Sequence, residues 1–437
     1  MSSKTSLKVL FVPMLAEGHV NPCIGIATQL IADGHRAVFI VDDVWRPKLA
    51  AYGIETIELA KSNATNDGAI DTTLQAQRMM SLGKIGGASA IEKARLRPNA
   101  AEYWRKQCQY LDTQLAALLP AIRPDVIVVD QFATLPAVVL SGIPCVWCWS
   151  AGPLVMLDDV RTPPGESGLS ATGDPRLWHE FRQLIKDVTI EKWRAFNDWV
   201  VGRGCEPLPE HCFHKTSRYL HIYGYPLELD YQDVRPLGRN YVRFDNFKRN
   251  ERHLTFAVPP VLAAKPGAFV YFSLGSLCPV DVQNMRRLVA ILAKSPHRFI
   301  VSMGPKHMEY TLGDNMWGAE SVPQIRVLPL VDLVITHGGI NTVTESLYFG
   351  RPMIAMPVYG EQYDNAQRLQ DKGFGLRLDA YKCSEEELLT AIETLLNDRR
   401  LAERLAEVSR RIQTDNSLAK VSQLIENFVQ NQCKYID

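Results

Sequence analysis

Two histidines stand just past apolar runs, and each has neighbours that could put it to chemical use. His19 lies in Glu17-Gly18-His19-Val20-Asn21-Pro22, after the apolar run 7–13, and another apolar run, 124–129, ends on Asp130. An aspartate beside an imidazole accepts its Nδ1–H, fixes the tautomer and leaves Nε2 free as a general base. Both residues also have a plainer reading, as caps of the helices that follow. The second histidine opens His337-Gly338-Gly339 after the run 331–335, and Asn341 and Thr342 follow as expected N-cap residues. A glycine turn leading into a helix offers free N–H groups and the positive end of a helix dipole, which suits a phosphate. His337, Asn341 and Thr342 can also donate to phosphate oxygens. Glu345, one turn after Asn341 on the same face, is a natural acceptor for sugar hydroxyls. Ser276 closes a similar turn, Ser273-Leu274-Gly275-Ser276, and is a further phosphate donor, or a structural serine. Glu361 and Gln362 come just past the apolar stretch 352–357.

Strands and helices must alternate to bring these residues together. The runs 7–13 and 36–41, with an amphipathic helix between them, predict a βαβ unit and hence a doubly wound parallel sheet, whose ligands sit at the carboxyl ends of its strands. The helix is expected to begin after Pro22. Further strands are expected at 124–130, 143–149 and 217–224, with a helix over 100–119. The stretch 62–90 is polar and glycine-rich and reads as a mobile loop. Segment 151–215 is rich in Pro, Gly and Trp, with a helix carrying Trp193, Phe196, Trp199 and Val200. A second set of strands is expected at 268–272, 298–302, 331–335 and 352–357, followed by helices at 384–396, 399–412 and 417–429.

A chain of 437 residues suggests two domains. Hydrophobic residues at 46% and charged ones at 22% provide a core for both. Zero formal charge and no basic patch argue against nucleic acid. The nine cysteines are scattered, and Cys145 and Cys148 form a CxxC inside an apolar run with no second pair. Two buried strand thiols explain it better than zinc, and the odd count suits a reducing compartment. No signal-like segment and no long apolar stretch is found, so a soluble cytoplasmic protein with no membrane span is expected. The first strand is not followed by GxGxxG, which disfavours a dinucleotide dehydrogenase, and the absence of GxSxG disfavours a hydrolase built on His19 and Asp130. A protein that binds a nucleotide sugar or a lipophile without turnover is the remaining alternative.

Residues 322–366 closely resemble the donor-binding signature of the family 1 UDP-glycosyltransferases. The matching residues are Pro323-Gln324, Leu328, Thr336-His337-Gly338-Gly339, Asn341-Thr342, Glu345, Gly350, Pro352, Pro357 and Glu361-Gln362. The likeness is sharp again at 18–22, softer at 124–130 and 272–276, and weak in 45–120 and 150–245. It implies the α/β GT-B fold, two Rossmann-like doubly wound domains facing a central cleft. The implied division is an acceptor-binding domain at 1–244, a linker at 245–266, a UDP-sugar domain at 267–415, and a final helix, 416–437, packing back on the first domain. The implied reaction is inverting transfer of a sugar, glucose as first guess, from a UDP-sugar to a hydroxyl of a small lipophilic or phenolic acceptor such as a flavonoid or xenobiotic. In that scheme His19 is the base and Asp130 orients it. Ser276, His337, Asn341 and Thr342 serve the diphosphate, Gly18 and Gly339 also belong to the donor site, Val322 meets uracil, Gln324 and Glu345 the ribose, and Glu361 and Gln362 the sugar. No metal or other cofactor is implied, and a monomer is expected. Three positions depart from the family pattern: Ser321 where Trp is common, Leu330 where His is common, and Glu361 for Asp. The resemblance is to the short, soluble bacterial-like type also found in spider mites, which conjugates plant phenolics and xenobiotics.

Overall fold

The structure, a computed structural model, describes residues 6–60, 72–215 and 219–431. Thirteen strands among these residues form two wholly parallel sheets. The first holds β1 (Lys8–Pro13), β2 (Arg36–Val41), β3 (Glu55–Glu58), β4 (Val126–Asp130), β5 (Cys145–Trp149), β6 (Leu220–Gly224) and β7 (Tyr241–Phe244), in the order β3-β2-β1-β4-β5-β6-β7. The second holds β8 (Phe269–Ser273), β9 (Arg298–Ser302), β10 (Met316–Ala319), β11 (Leu333–Thr336), β12 (Met353–Ala355) and β13 (Gly375–Arg377), in the order β10-β9-β8-β11-β12-β13. Helices cover both faces, which is why the central strands read as unbroken apolar runs rather than alternating ones. Val9 to Val12 and Val126 to Val129 are all essentially buried.

In each sheet the strand order reverses once. β1 lies beside β4, with Pro13 opposite Asp130, and β8 lies beside β11, with Ser273 opposite Thr336. At such a reversal the loops leave in opposite directions and open a crevice at the carboxyl edge. His19 and Asp130 sit at the first reversal, Ser276 and His337 at the second.

Several elements differ from the sequence-based expectation. The first helix spans Glu17–Ala32, so it starts before Pro22 and contains it. Proline has no N–H to give the carbonyl four residues back, here that of Gly18. That carbonyl instead accepts the Asn341 side-chain amide at 3.0 Å. The expected mobile loop 62–90 is in part a helix, Thr72–Ser81, with a second short helix at Ala90–Arg95; its portion 62–71 lies outside the described residues. The long helix predicted at 100–119 runs Ala101–Ile122. Strands β3, β7, β10 and β13 were not anticipated, being short and at the sheet edges. The last helix, Val421–Gln430, buries Val421, Ile425 and Phe428 in the apolar cluster of the first sheet, beside Ile24 and Phe39. Ser422 donates to Asp33 at 2.5 Å on the same seam.

Candidate active site

A cleft of about 1490 Å³ lies between the two sheets' carboxyl edges and is lined from both. His19, in the first turn of its helix, points into it. Its Nδ1 is 3.1 Å from Asp130 Oδ2, and Asp130 is 2% exposed at the end of β4. Ser150, the residue after β5, completes the group. Its hydroxyl donates to Asp130 Oδ2 at 2.6 Å, and its Oγ lies 2.9 Å from His19 Nδ1. With Nδ1–H held between two oxygens, Nε2 is left to face the cleft. Phe132 contacts the ring edge-on, with centroids 5.3 Å apart. Burial works against an imidazolium here, but the Asp130 charge and hydrogen bond, with Glu361 across the cleft, outweigh it and raise the His19 pKa above its ordinary value.

Beneath Asp130, Cys23 and Cys148 bring their sulfurs within 4.8 Å of its carboxylate and of each other. By donor type this is the candidate metal set among the described residues. Burial pushes both thiols up, so they are protonated at neutral pH, and Asp130 Oδ2 is already shared by His19 and Ser150. Nothing in that arrangement calls for an ion.

Across the cleft, His337 follows β11 in a slot between two glycines. A Cβ on Gly275 or on Gly339 would come within 2.6 Å of its ring, and Gly275 also has φ +77°. Burial alone acts on this imidazole and lowers its pKa to about 4, so it is neutral at physiological pH. It can donate a single N–H without carrying charge. The helix Ile340–Tyr348 is capped by Gly339, not by Asn341 or Thr342 as expected. Those two occupy its first turn, where their N–H groups lack intrahelical partners. The Asn341 side chain, read from sequence as a phosphate donor, is engaged with Gly18 of the facing half. Thr342 Oγ1 lies 3.4 Å from Gln324 Oε1. Ser276 and Val322 line the cleft nearby.

Glu345 is 2% exposed and lies behind this wall, not on it. One oxygen accepts from Gln324 Nε2 at 2.5 Å, the other from Arg249 Nη1 at 3.0 Å. The expectation of a free carboxylate is corrected accordingly: Glu345 holds Gln324 at the cleft surface. Burial raises its pKa, and Arg249 and Gln324 oppose the rise. Arg249, which also pairs with Glu251 at 2.7 Å, was not foreseen. Gln362 differs too. Its carbonyl oxygen accepts from the Val358 and Tyr359 amides at 3.0 and 3.1 Å, so its first task is to hold the loop before its helix. Glu361, at the start of that helix, does line the cleft; burial, and then the nearby Glu166, push its pKa up to about 7.

Residues 263–421 match the model of the family described as UDP-glucoronosyl and UDP-glucosyl transferase. The match takes in rather more than a third of the chain, and over these residues the protein is similar to that family. This is the half that holds His337, Gln324 and Glu345. UDP-glucuronosyltransferase 2B14 of Oryctolagus cuniculus is 36% identical over 132 residues, which is 30% of this chain and 25% of that protein. The chain thus spans about a quarter of the length of that relative. The likeness to solved structures covers both halves. The glycosyltransferase of kitacinnamycin superposes with a TM-score of 0.69 at 19% identity, over 97% of this chain and 98% of that one. The spinosyn rhamnosyltransferase SpnG complexed with thymidine diphosphate gives 0.65 at 21% identity, over 96% and 100%. At such identities the likeness is one of fold, and the chain shares theirs, GT-B, with two Rossmann-like domains. Among its described residues no helix is long and apolar enough to cross a membrane.

Proposed function

We propose that this protein transfers a sugar from a UDP-sugar to a hydroxyl of a small acceptor, with inversion at the anomeric carbon. The observation that carries the reading is a pair of facing groups. His19, backed by buried Asp130, looks across one cleft at a helix start with a neutral His337. His19 Nε2 takes the acceptor proton while the oxygen attacks the anomeric carbon. The C1–O bond to the diphosphate breaks on the opposite face, and UDP leaves. His337, Ser276 and the open N–H groups at Asn341 and Thr342 stabilise charge growing on the diphosphate, and binding there draws Asn341 off Gly18. Such preset donors commonly supply the larger part of catalysis. Val322 and Gln324 receive the nucleoside, with Glu345 behind Gln324, and Glu361 meets the sugar. Residues 1–244 serve the acceptor and 267–415 the donor. The reading needs no metal or other cofactor, and the first donor to test is UDP-glucose, with phenolic acceptors such as flavonols in a cytoplasmic detoxification role.

Ser321 favours a second reading of the donor alone. A serine cannot stack on a base as Trp can, and a structural neighbour is described with thymidine diphosphate bound. Calorimetric titration with UDP and with TDP separates the two. Tighter UDP binding, lost in His337→Ala, supports the first reading. Tighter TDP binding replaces it, and no binding of either overturns transfer.

A further inference from the structure

The acceptor side of the cleft carries positive charge that nothing in the reaction above uses. Lys84, in the turn after the helix Thr72–Ser81, and Lys192, on the long helix Pro175–Gly202, both line it. Lys192 Nζ sits 3.7 Å from the ring centre of Trp104 and 4.8 Å from that of Phe213. Neither ammonium has a hydrogen bond or ion pair among the described residues. The acids close by are already committed. Glu166 is bound by Arg97 at 2.5 Å, and Asp158 by Arg182 at 2.7 Å. Burial lowers the pKa of both lysines, Lys192 to about 8; Arg97 adds to the effect on each and Lys84 to that on Lys192, while Glu166 opposes it. The cations come from the half that carries His19, whereas Ser276, His337, Asn341 and Thr342, which the proposed reaction uses for the diphosphate, come from the other half. Both lysines are partly buried, and an ammonium group withdrawn from water is stabilised when a ligand supplies an anion.

We infer that Lys84 and Lys192 form a subsite for an acid group on the acceptor, a carboxylate on an aromatic body that stacks on Trp104 and Phe213 and presents a separate hydroxyl to His19. The inference rests on the transfer reading for its orientation and on the unpaired lysines for its chemistry. Recognition is by charge-assisted hydrogen bonds from two ammonium groups, strengthened by the partly dry walls.

The test is calorimetric titration of the full chain with two phenolic acids, 4-hydroxycinnamate and 3-hydroxy-2-naphthoate, and their methyl esters. Initial transfer rates from UDP-glucose are measured on the same compounds. Wild type is expected to bind each acid about tenfold or more tighter than its ester. Lys84→Met and Lys192→Met keep the apolar stems, and together should erase that ratio while leaving ester binding and ester transfer unchanged. Lys192→Arg should restore most of it. Equal binding of acids and esters by wild type overturns the inference, as does a preference that survives the double variant. If that variant does not fold, the wild-type ratio alone decides. Acid preference without transfer to any compound would leave the subsite standing and sink the transferase reading. Transfer to esters without acid preference would do the reverse.

Discussion

His19 and His337 stand at the strand-order reversals of two similar sheets, one after β1 and the other after β11, the counterpart of β4. Each follows a strand at the strand-order reversal and lines the same cleft, yet the structure gives them opposite charge behaviour. His19 has a buried carboxylate at 3.1 Å and a second acid facing it, and its pKa is raised against the pull of burial. His337 has two glycines and no acid, and burial lowers it to about 4. One imidazole is built to gain and lose a proton, the other to stay neutral and donate. In the proposed reaction, proton chemistry and charge stabilisation fall on opposite walls, and it is the partner, not the residue type, that sets the charge behaviour of each imidazole.

Removing each histidine should separate the two roles. His19→Ala is expected to cut kcat/KM by about 10²–10⁴-fold, the usual worth of a general base, with UDP affinity nearly unchanged by calorimetry. Asp130→Asn should fall in the same range, because the wrong tautomer is then favoured. Its pH profile sharpens the point. A base must be unprotonated, so kcat/KM of the wild type should rise with pH through a value above 6.5, the ordinary histidine value. Without the Asp130 charge that limb should move to lower pH as the plateau drops. His337→Ala should weaken UDP by about 10–100-fold, the worth of one hydrogen bond to a charged group. It should leave the acid limb where it was. Glu345→Ala tests the support behind the donor wall. It strands Arg249 with Glu251 as its remaining partner, and should cost about 2–3 kcal/mol in the urea midpoint, less than a fully orphaned buried charge. Ser150→Ala should be the mildest, about two- to tenfold in kcat/KM, because Asp130 still holds His19.

The histidines and Asp130 were legible in the sequence because each ends or follows an unbroken apolar run, and parallel strands deliver their ligands at that edge. The doubly wound sheets were legible for the same reason, through the repeated strand, glycine turn and helix, whereas the GT-B arrangement was implied by the resemblance of 322–366. Ser150 was not, since a serine after a strand has no pattern of its own until β5 is laid beside β4. Arg249 meets Glu345 across 96 residues of sequence, and Asn341 meets Gly18 across 323. No local periodicity encodes such pairs. The helix Thr72–Ser81 was read as loop because its composition is polar, and tertiary contact supplied what local pattern lacked. The start of the first helix was misjudged because Pro22 resembled a boundary. The orphaned carbonyl it creates is met from the other sheet.

The central claim is that the proton leaves through His19 while the nucleotide is held elsewhere. It is tested most directly by single-turnover transfer from saturating UDP-glucose to a phenolic acceptor, comparing wild type with His19→Ala at matched UDP affinity. The account predicts a β-linked product from wild type and a loss of about 10²–10⁴-fold in the variant. Transfer by His19→Ala within a few-fold of wild type would contradict it.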